Sequence, residues 1–105
     1  MKVLLDACVP RPLRKFLPDQ TVNTAQEMGW GQLKNGALLR EAEARFEVFL
    51  TTDQGVKYQQ KVLGRKLAIL VLPTNDWPTI WSKADETVAK VATLKPGDFV
   101  ELNWP

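Results

Sequence analysis

Five short segments of the chain have the hydrophobic pattern of β-strands. Residues 2–5 and 67–72 are apolar runs of the kind that is buried on both faces of a sheet, and 67–72 is the clearest of them. Residues 47–51 form a third candidate, 20–23 alternate weakly, and 99–104 alternate well enough to be an edge strand. The chain is therefore expected to contain a sheet with several buried strands.

Helical patterns occupy the intervals between these segments. Pro10 and Pro12 are placed to open a helix, Asn35 is a good N-cap for a second, and Pro78 lies in the first turn of a later one. A further helix is predicted over 54–63, where Gly64 would end it. The predicted buried stripes are Leu13, Phe16 and Leu17; Leu38, Leu39, Ala42 and Phe46; and Ile80, Trp81, Ala84, Val88 and Val91.

Alternation of strands and helices predicts an α/β fold with a parallel sheet and right-handed crossovers. The chain has 105 residues and shows no linker or repeat, so we expect one domain over residues 1–105. Ligands in such folds bind beyond the carboxyl ends of the strands. The residues at those ends are therefore the first candidates for function.

Composition removes several kinds of chemistry. The chain contains no histidine, which excludes Ser-His-Asp catalysis and zinc bound by histidine. Cys8 is the only cysteine, so no disulfide is expected; it is predicted to be a small buried residue rather than a nucleophile. No run reaches the roughly 20 apolar residues of a membrane span. We expect a cytoplasmic protein without a signal peptide, whose net charge of +2 permits a nucleic-acid partner without requiring one.

Three acids follow the predicted strands. Asp6 ends the first strand, Asp53 ends the third, and Glu27 comes a few residues after the second. With the strand order 2-1-3-4, all three would converge at one edge of the sheet. Each acid also has a structural interpretation, because Asp6 and Asp53 suit helix caps and Glu27 suits an exposed helical position.

A shared site would make these acids metal ligands. Three carboxylates repel one another unless a cation binds among them, and hard oxygen ligands favour Mg²⁺ or Mn²⁺. Such an ion would activate water for attack on a phosphodiester. The sequence therefore predicts Asp6, Asp53 and Glu27 as catalytic and metal-binding residues. Asn35 is a candidate supporting residue, with a helix cap as the simpler alternative.

Basic and aromatic residues flank the predicted site. The candidate RNA-binding residues are Arg11, Arg14, Lys34, Lys57 and Tyr58. Their alternative role is ordinary solubility and packing. Among Trp77, Trp81 and Trp104, one or two are expected to anchor contact with a partner, either a second copy or another protein.

Six segments of the chain form a recognisable series. They are Leu4-Leu5-Asp6-Ala7-Cys8-Val9-Pro10, Gln26-Glu27-Met28-Gly29-Trp30, Leu33-Lys34-Asn35-Gly36, Phe49-Leu50-Thr51-Thr52-Asp53-Gln54, Tyr58-Gln59-Gln60 and Leu70-Val71-Leu72-Pro73-Thr74-Asn75. Their order and spacing resemble those of the short PIN-like proteins found as toxins of prokaryotic toxin–antitoxin pairs. The likeness extends over about the first three-quarters of the chain.

The resemblance implies a three-layer α/β/α PIN-like fold. Its sheet would be mostly parallel, with order 2-1-3-4 and a C-terminal edge strand. It also implies an acidic Mg²⁺ or Mn²⁺ site and ribonuclease activity restrained by a cognate antitoxin. Asp6 matches the family's acid after the first strand, Asp53 its acid in a Thr-x-Asp motif, and Glu27 a recurrent acid. The implied partners are an RNA substrate, an antitoxin protein and a second copy in a homodimer.

Two positions depart from the family pattern. Ala7 stands where relatives commonly carry glutamate, and Gly55 stands where many carry a second acid. These departures keep open an alternative function, a PIN-like module that binds a protein or RNA without cleaving it. A phosphoacceptor domain is a third alternative, but a suitably placed lysine after 67–72 is missing.

Overall fold

The computed structural model describes residues 1–33, 35–56 and 66–104, with only the main chain at residue 35. In these ranges the chain forms a sheet of five strands in the order β2-β1-β3-β4-β5. Every neighbouring pair of strands is parallel. The strands are β1 (Lys2–Leu5), β2 (Thr21–Thr24), β3 (Val48–Thr51), β4 (Ala68–Val71) and β5 (Phe99–Glu101).

Four helical segments connect the strands in the described ranges. They are a 3₁₀ helix (Arg11–Phe16), α1 (Asn35–Arg45), α2 (Trp77–Ser82) and α3 (Ala84–Thr93). Pro12 lies in the first turn of the 3₁₀ helix, where a missing N–H removes no helical hydrogen bond. Asp76 caps α2, because its carboxylate accepts a hydrogen bond of 3.2 Å from the Thr79 N–H.

The central strands bury side chains on both faces of the sheet. In β1, Val3 and Leu5 face one core and Leu4 faces the other, as the period of two in a strand requires. The first core also contains Leu13 of the 3₁₀ helix, Ile80 of α2 and Val91 of α3. The second core contains Leu38, Leu39 and Ala42 of α1. Helical segments thus cover both faces of the sheet.

The predicted strand order and the C-terminal edge strand are confirmed. The sheet is entirely parallel among its described strands, whereas a mostly parallel one was expected. The segment predicted to open at Pro10 is a 3₁₀ helix rather than an α-helix. Most of the helix predicted over 54–63 lies outside the described residues.

The prediction that Trp81 faces inward is wrong, since its side chain is 61% exposed. The apolar stripe was assigned to one continuous helix, but α2 ends at Ser82 and α3 begins at Ala84. Lys83 between them has φ −113° and ψ 17°, which breaks the helical phase. Within the described ranges, no helix has the length and apolar character needed to span a bilayer.

Candidate functional site

The carboxyl ends of β1 and β3 bring Asp6 beside Thr51. The two strands are in parallel register with Leu5 opposite Leu50, and the Asp6 N–H extends the ladder by donating to the Leu50 carbonyl at 2.9 Å. Asp6 therefore directly follows β1 and Thr51 is the last residue of β3, and the core fixes both strands. This placement confirms that the first strand presents its acid at the carboxyl edge.

The Thr51 hydroxyl connects Asp6 to the segment that contains Asp53. It donates to Asp6 Oδ2 at 2.7 Å, and its oxygen accepts the Asp53 N–H at 3.0 Å. Thr51 is fully buried, so its side chain has few alternative positions. The Thr51 hydroxyl thus connects the carboxylate that follows β1 with the main chain that follows β3.

The Asp6 carboxylate is surrounded by neutral donors. The Ala7 N–H donates to Oδ1 at 2.8 Å, and the Cys8 thiol lies 3.6 Å from Oδ2. The same thiol is 3.7 Å from Thr51 Oγ1. Among the described residues no cationic side chain pairs with Asp6. Within the described ranges its negative charge is therefore oriented by hydrogen bonds and has no neutralising partner.

Cys8 is exposed, so the prediction that it is buried is wrong. The chain leaves the sheet after Leu5 and turns at Asp6, because the Val9 N–H donates to the Asp6 carbonyl at 3.0 Å. Cys8 lies within that turn at the edge of the sheet, whereas Val9 returns to the core. The small size of cysteine was therefore a poor guide to its burial here.

Asp53 has a local structural role as well as a position near Asp6. Its Oδ1 accepts the Gly55 N–H at 2.8 Å, which supports the turn after β3 as the capping alternative predicted. A Cβ at Gly55 would lie 3.2 Å from that same oxygen, so a larger residue requires the Asp53 carboxylate to move. Asp53 is exposed, and no described residue forms an ion pair with it.

Glu27 is held differently, in a reciprocal hydrogen-bonding arrangement with Thr24. Its Oε1 accepts the Thr24 N–H at 2.8 Å, while its own N–H donates to Thr24 Oγ1 at 3.1 Å. This is the geometry of a capping box. The pattern Thr24-x-x-Glu27 was visible in the sequence, yet the sequence argument did not use it.

Arg14 of the 3₁₀ helix also binds Glu27. The Arg14 Nη2 lies 2.8 Å from Glu27 Oε1, and this is the one ion pair in the described part of the chain. The pKa of Glu27 is lowered, first by the hydrogen bond from the Thr24 N–H and next by the hydrogen bond from Arg14. This pair was not predicted from the sequence, in which Arg14 is a candidate RNA-binding residue.

Two of the three predicted metal ligands, Asp6 and Asp53, have no cationic partner among the described residues, whereas Glu27 is paired with Arg14. Across residues 1–33, 35–56 and 66–104, no group of three or more His, Cys, Asp or Glu residues could hold a metal ion. Asp6 and Asp53 remain as two carboxylates at the same edge. That number suits Mg²⁺, which keeps several water ligands and is commonly bound through one or two carboxylates.

The predicted RNA-binding residues divide between described and undescribed segments. Arg11 and Arg14 line a groove of about 380 Å³ with Pro12 and Lys15. Lys34, Lys57 and Tyr58 lie outside the described residues, as does the side chain of Asn35. The groove therefore presents three basic residues on the 3₁₀ helix.

No family model matches the chain, and the searches of curated proteins and of solved structures gave no match either.

Proposed function

We propose that the protein is a metal-dependent ribonuclease of PIN-like type, with Asp6 and Asp53 as its metal ligands. The observation that carries this proposal is the Thr51 hydroxyl, which joins the Asp6 carboxylate to the main chain of Asp53. An uncompensated carboxylate held rigidly at the end of a parallel strand favours a bound cation. Mg²⁺ or Mn²⁺ fits a donor set made only of oxygen atoms.

Each residue has a defined task in this proposal. Thr51 fixes the Asp6 carboxylate, so that its oxygens keep one orientation when a ligand binds. A divalent ion bound there would lower the pKa of a water molecule and stabilise charge on the phosphodiester. Arg11 and Arg14 would attract the RNA backbone to the groove beside the 3₁₀ helix. Glu27 would act through its pairing with Arg14 rather than as a third ligand.

The biological role that we propose is that of a toxin restrained by a cognate antitoxin in the cytoplasm. It is supported by the resemblance of the segments around Asp6, Glu27 and Asp53 to short PIN-like toxins. Exposed Trp81 gives an aromatic surface that would serve contact with the antitoxin or with a second copy in a homodimer. A small adjacent reading frame with a DNA-binding pattern would support this role.

The test is cleavage of a fluorescent RNA with Mn²⁺ by purified Asp6→Asn and Asp53→Asn variants. We expect each variant to lose about 100-fold or more of the cleavage rate, because loss of a direct ligand should exceed the 10- to 100-fold effect of outer-shell changes. Asp19→Asn is the matched control, since Asp19 is exposed and outside the carboxyl edge. Unchanged cleavage in both site variants would exclude this site.

A second function is favoured by the pairing of Glu27 with Arg14. With that acid neutralised, and with Ala7 and Gly55 at positions where relatives carry acids, the edge would serve as a binding module without cleavage. Calorimetric titration with Mn²⁺ separates the two functions. Heat that saturates below millimolar metal supports the nuclease, whereas the absence of heat at millimolar metal supports the module.

A further inference from the structure

A second concave surface lies at the amino ends of β3 and β4, at the end of the sheet opposite Asp6 and Asp53. It is a cavity of about 180 Å³, and the residues that line it include Phe46, Val48, Ala68 and Leu94. These four residues are buried members of the two cores that flank the sheet. A cavity of about 150 Å³ with an apolar lining is large enough to bind benzene. The apolar floor thus has room for a group the size of one ring.

The mouth of this cavity is basic. Lys66 and Lys95 line it, and neither forms an ion pair with any described residue. Glu47 is the one acid in the lining, and its Oε1 already accepts the Lys2 N–H at 3.0 Å. Two exposed lysines therefore line this cavity together with one acid.

Three main-chain N–H groups around the mouth are already paired. The Glu47 N–H donates to the Lys2 carbonyl at 2.9 Å, and the Ala68 N–H donates to the Glu47 carbonyl at 2.9 Å. The Lys95 N–H donates to Asp98 Oδ2 at 2.9 Å. An anion at this position would therefore be recognised by lysine side chains rather than by main-chain N–H groups.

We propose that this cavity binds a small amphipathic carboxylate, whose ring-sized apolar body enters the cavity while its carboxylate contacts Lys66 and Lys95. The apolar floor selects for the body, because its side chains cannot satisfy a polar group. The lysines select for the charge. The site is separate from Asp6 and Asp53, so it does not depend on the proposed nuclease function.

The probe is phenylacetate, added to ¹⁵N-labelled protein while amide chemical shifts are followed. We expect saturable shifts at Phe46, Val48, Ala68 and Leu94, with a Kd on the order of 1 mM at low salt. Acetate lacks the apolar body and 2-phenylethanol lacks the charge, so each should bind at least about fivefold more weakly. Equal binding of acetate and phenylacetate would overturn the proposal, as would shifts that never saturate.

The variant that tests the charge is the double substitution Lys66→Gln with Lys95→Gln. Both lysines are exposed, so the fold should persist, and the affinity for phenylacetate should fall about five- to tenfold. Lys15→Gln is the matched control, because Lys15 is exposed and lines the separate groove of the 3₁₀ helix. An equal loss of affinity in Lys15→Gln, or no loss in the double variant, would contradict the assigned site.

Discussion

The carboxyl edge of the sheet contains two acidic regions that are stabilised in opposite ways. At the ends of β1 and β3, Asp6 is bound by the Thr51 hydroxyl and by other neutral donors. After β2, Glu27 is bound by Arg14 as well as by the Thr24 N–H. Among the described residues, the acid of the first region has no cationic partner, whereas the acid of the second has Arg14. Position at a strand end therefore does not by itself decide whether an acid is available to a cation.

Threonine plays a different part in each region. Thr51 donates its hydroxyl hydrogen to a carboxylate and accepts a main-chain N–H. Thr24 accepts the Glu27 N–H through its hydroxyl, while its own N–H donates to the Glu27 carboxylate. The Thr51 hydroxyl links two neighbouring strands, whereas the Thr24 pair closes a single local turn. Loss of the first hydroxyl should therefore disturb more of the molecule.

The largest expected effect on stability follows from Thr51→Val, which keeps the branched shape but removes the hydroxyl. The Asp53 N–H and Asp6 Oδ2 then lose a partner, and the free energy of unfolding should fall by about 1–3 kcal/mol. Thr24→Val is the matched comparison, with an expected loss of about 1 kcal/mol. Urea denaturation of both variants measures the difference. A greater loss of unfolding free energy in Thr24→Val than in Thr51→Val would contradict the larger structural role assigned to the Thr51 hydroxyl.

Adding an acid beside Asp6 should increase the negative charge of the first region relative to the second. Ala7 is exposed next to Asp6, and Ala7→Glu should raise the affinity for Mn²⁺ about tenfold, because metal affinity increases with the charge of the ligand set. Calorimetric titration measures the change. Ala44→Glu places the same acid on exposed α1 and serves as the control. Equal affinities of the two variants would argue against a cation site at Asp6.

The substitution Gly55→Asp also adds an acid at this site, and it should raise the affinity for Mn²⁺ less than Ala7→Glu does. A Cβ at Gly55 approaches Asp53 Oδ1 at 3.2 Å, so the new residue displaces the carboxylate that it is meant to assist. The same calorimetric titration applies. A larger gain in Mn²⁺ affinity than that of Ala7→Glu would mean that the Asp53 carboxylate can move without weakening the site. The hydrogen bond from the Gly55 N–H would then not be needed for metal binding.

Much of the sheet could be predicted because its strands are short apolar runs with clear ends. β4 lies within the predicted 67–72 and β3 within 47–51, and both are buried throughout. The positions of Asp6 and Asp53 follow from those ends. The division of the last helical segment into α2 and α3 could not be predicted, because no proline or glycine marks the break at Lys83. That break separates Trp81 in α2 from the part of the predicted stripe that lies in α3.

The ion pair of Glu27 also could not be predicted by local reasoning. Arg14 and Glu27 belong to different segments, and their contact depends on where the 3₁₀ helix packs beside the turn after β2. Periodicity and capping describe interactions within a segment, so they do not report such pairs. By contrast, the Thr24-x-x-Glu27 capping pattern is local and was available from the sequence.

The smallest expected effect comes from Arg14→Gln, which removes the cation from the second region. The pKa of Glu27 should rise towards its ordinary value of 4.5 but remain below it, because the Thr24 N–H is the larger cause of the lowered pKa. The effect on stability should be slight. The side chains of Arg14 and Glu27 are 35% and 38% exposed, so water screens their attraction, and the buried Arg14 Nε has no hydrogen-bond partner to lose.

The sign of the pH dependence follows from the lowered pKa of Glu27. Its interactions stabilise the fold above pH 4.5 and are lost as the pH falls through the pKa of the folded state. Arg14→Gln should therefore reduce the difference in stability between pH 7 and pH 3, and an NMR titration of the Glu27 carboxyl should show the raised pKa. Arg11→Gln is the control with the smaller shift, since Arg11 contributes least among the causes that lower this pKa. If Arg11→Gln moved the pKa more than Arg14→Gln, the charge of Glu27 would be compensated by the whole groove rather than by one arginine.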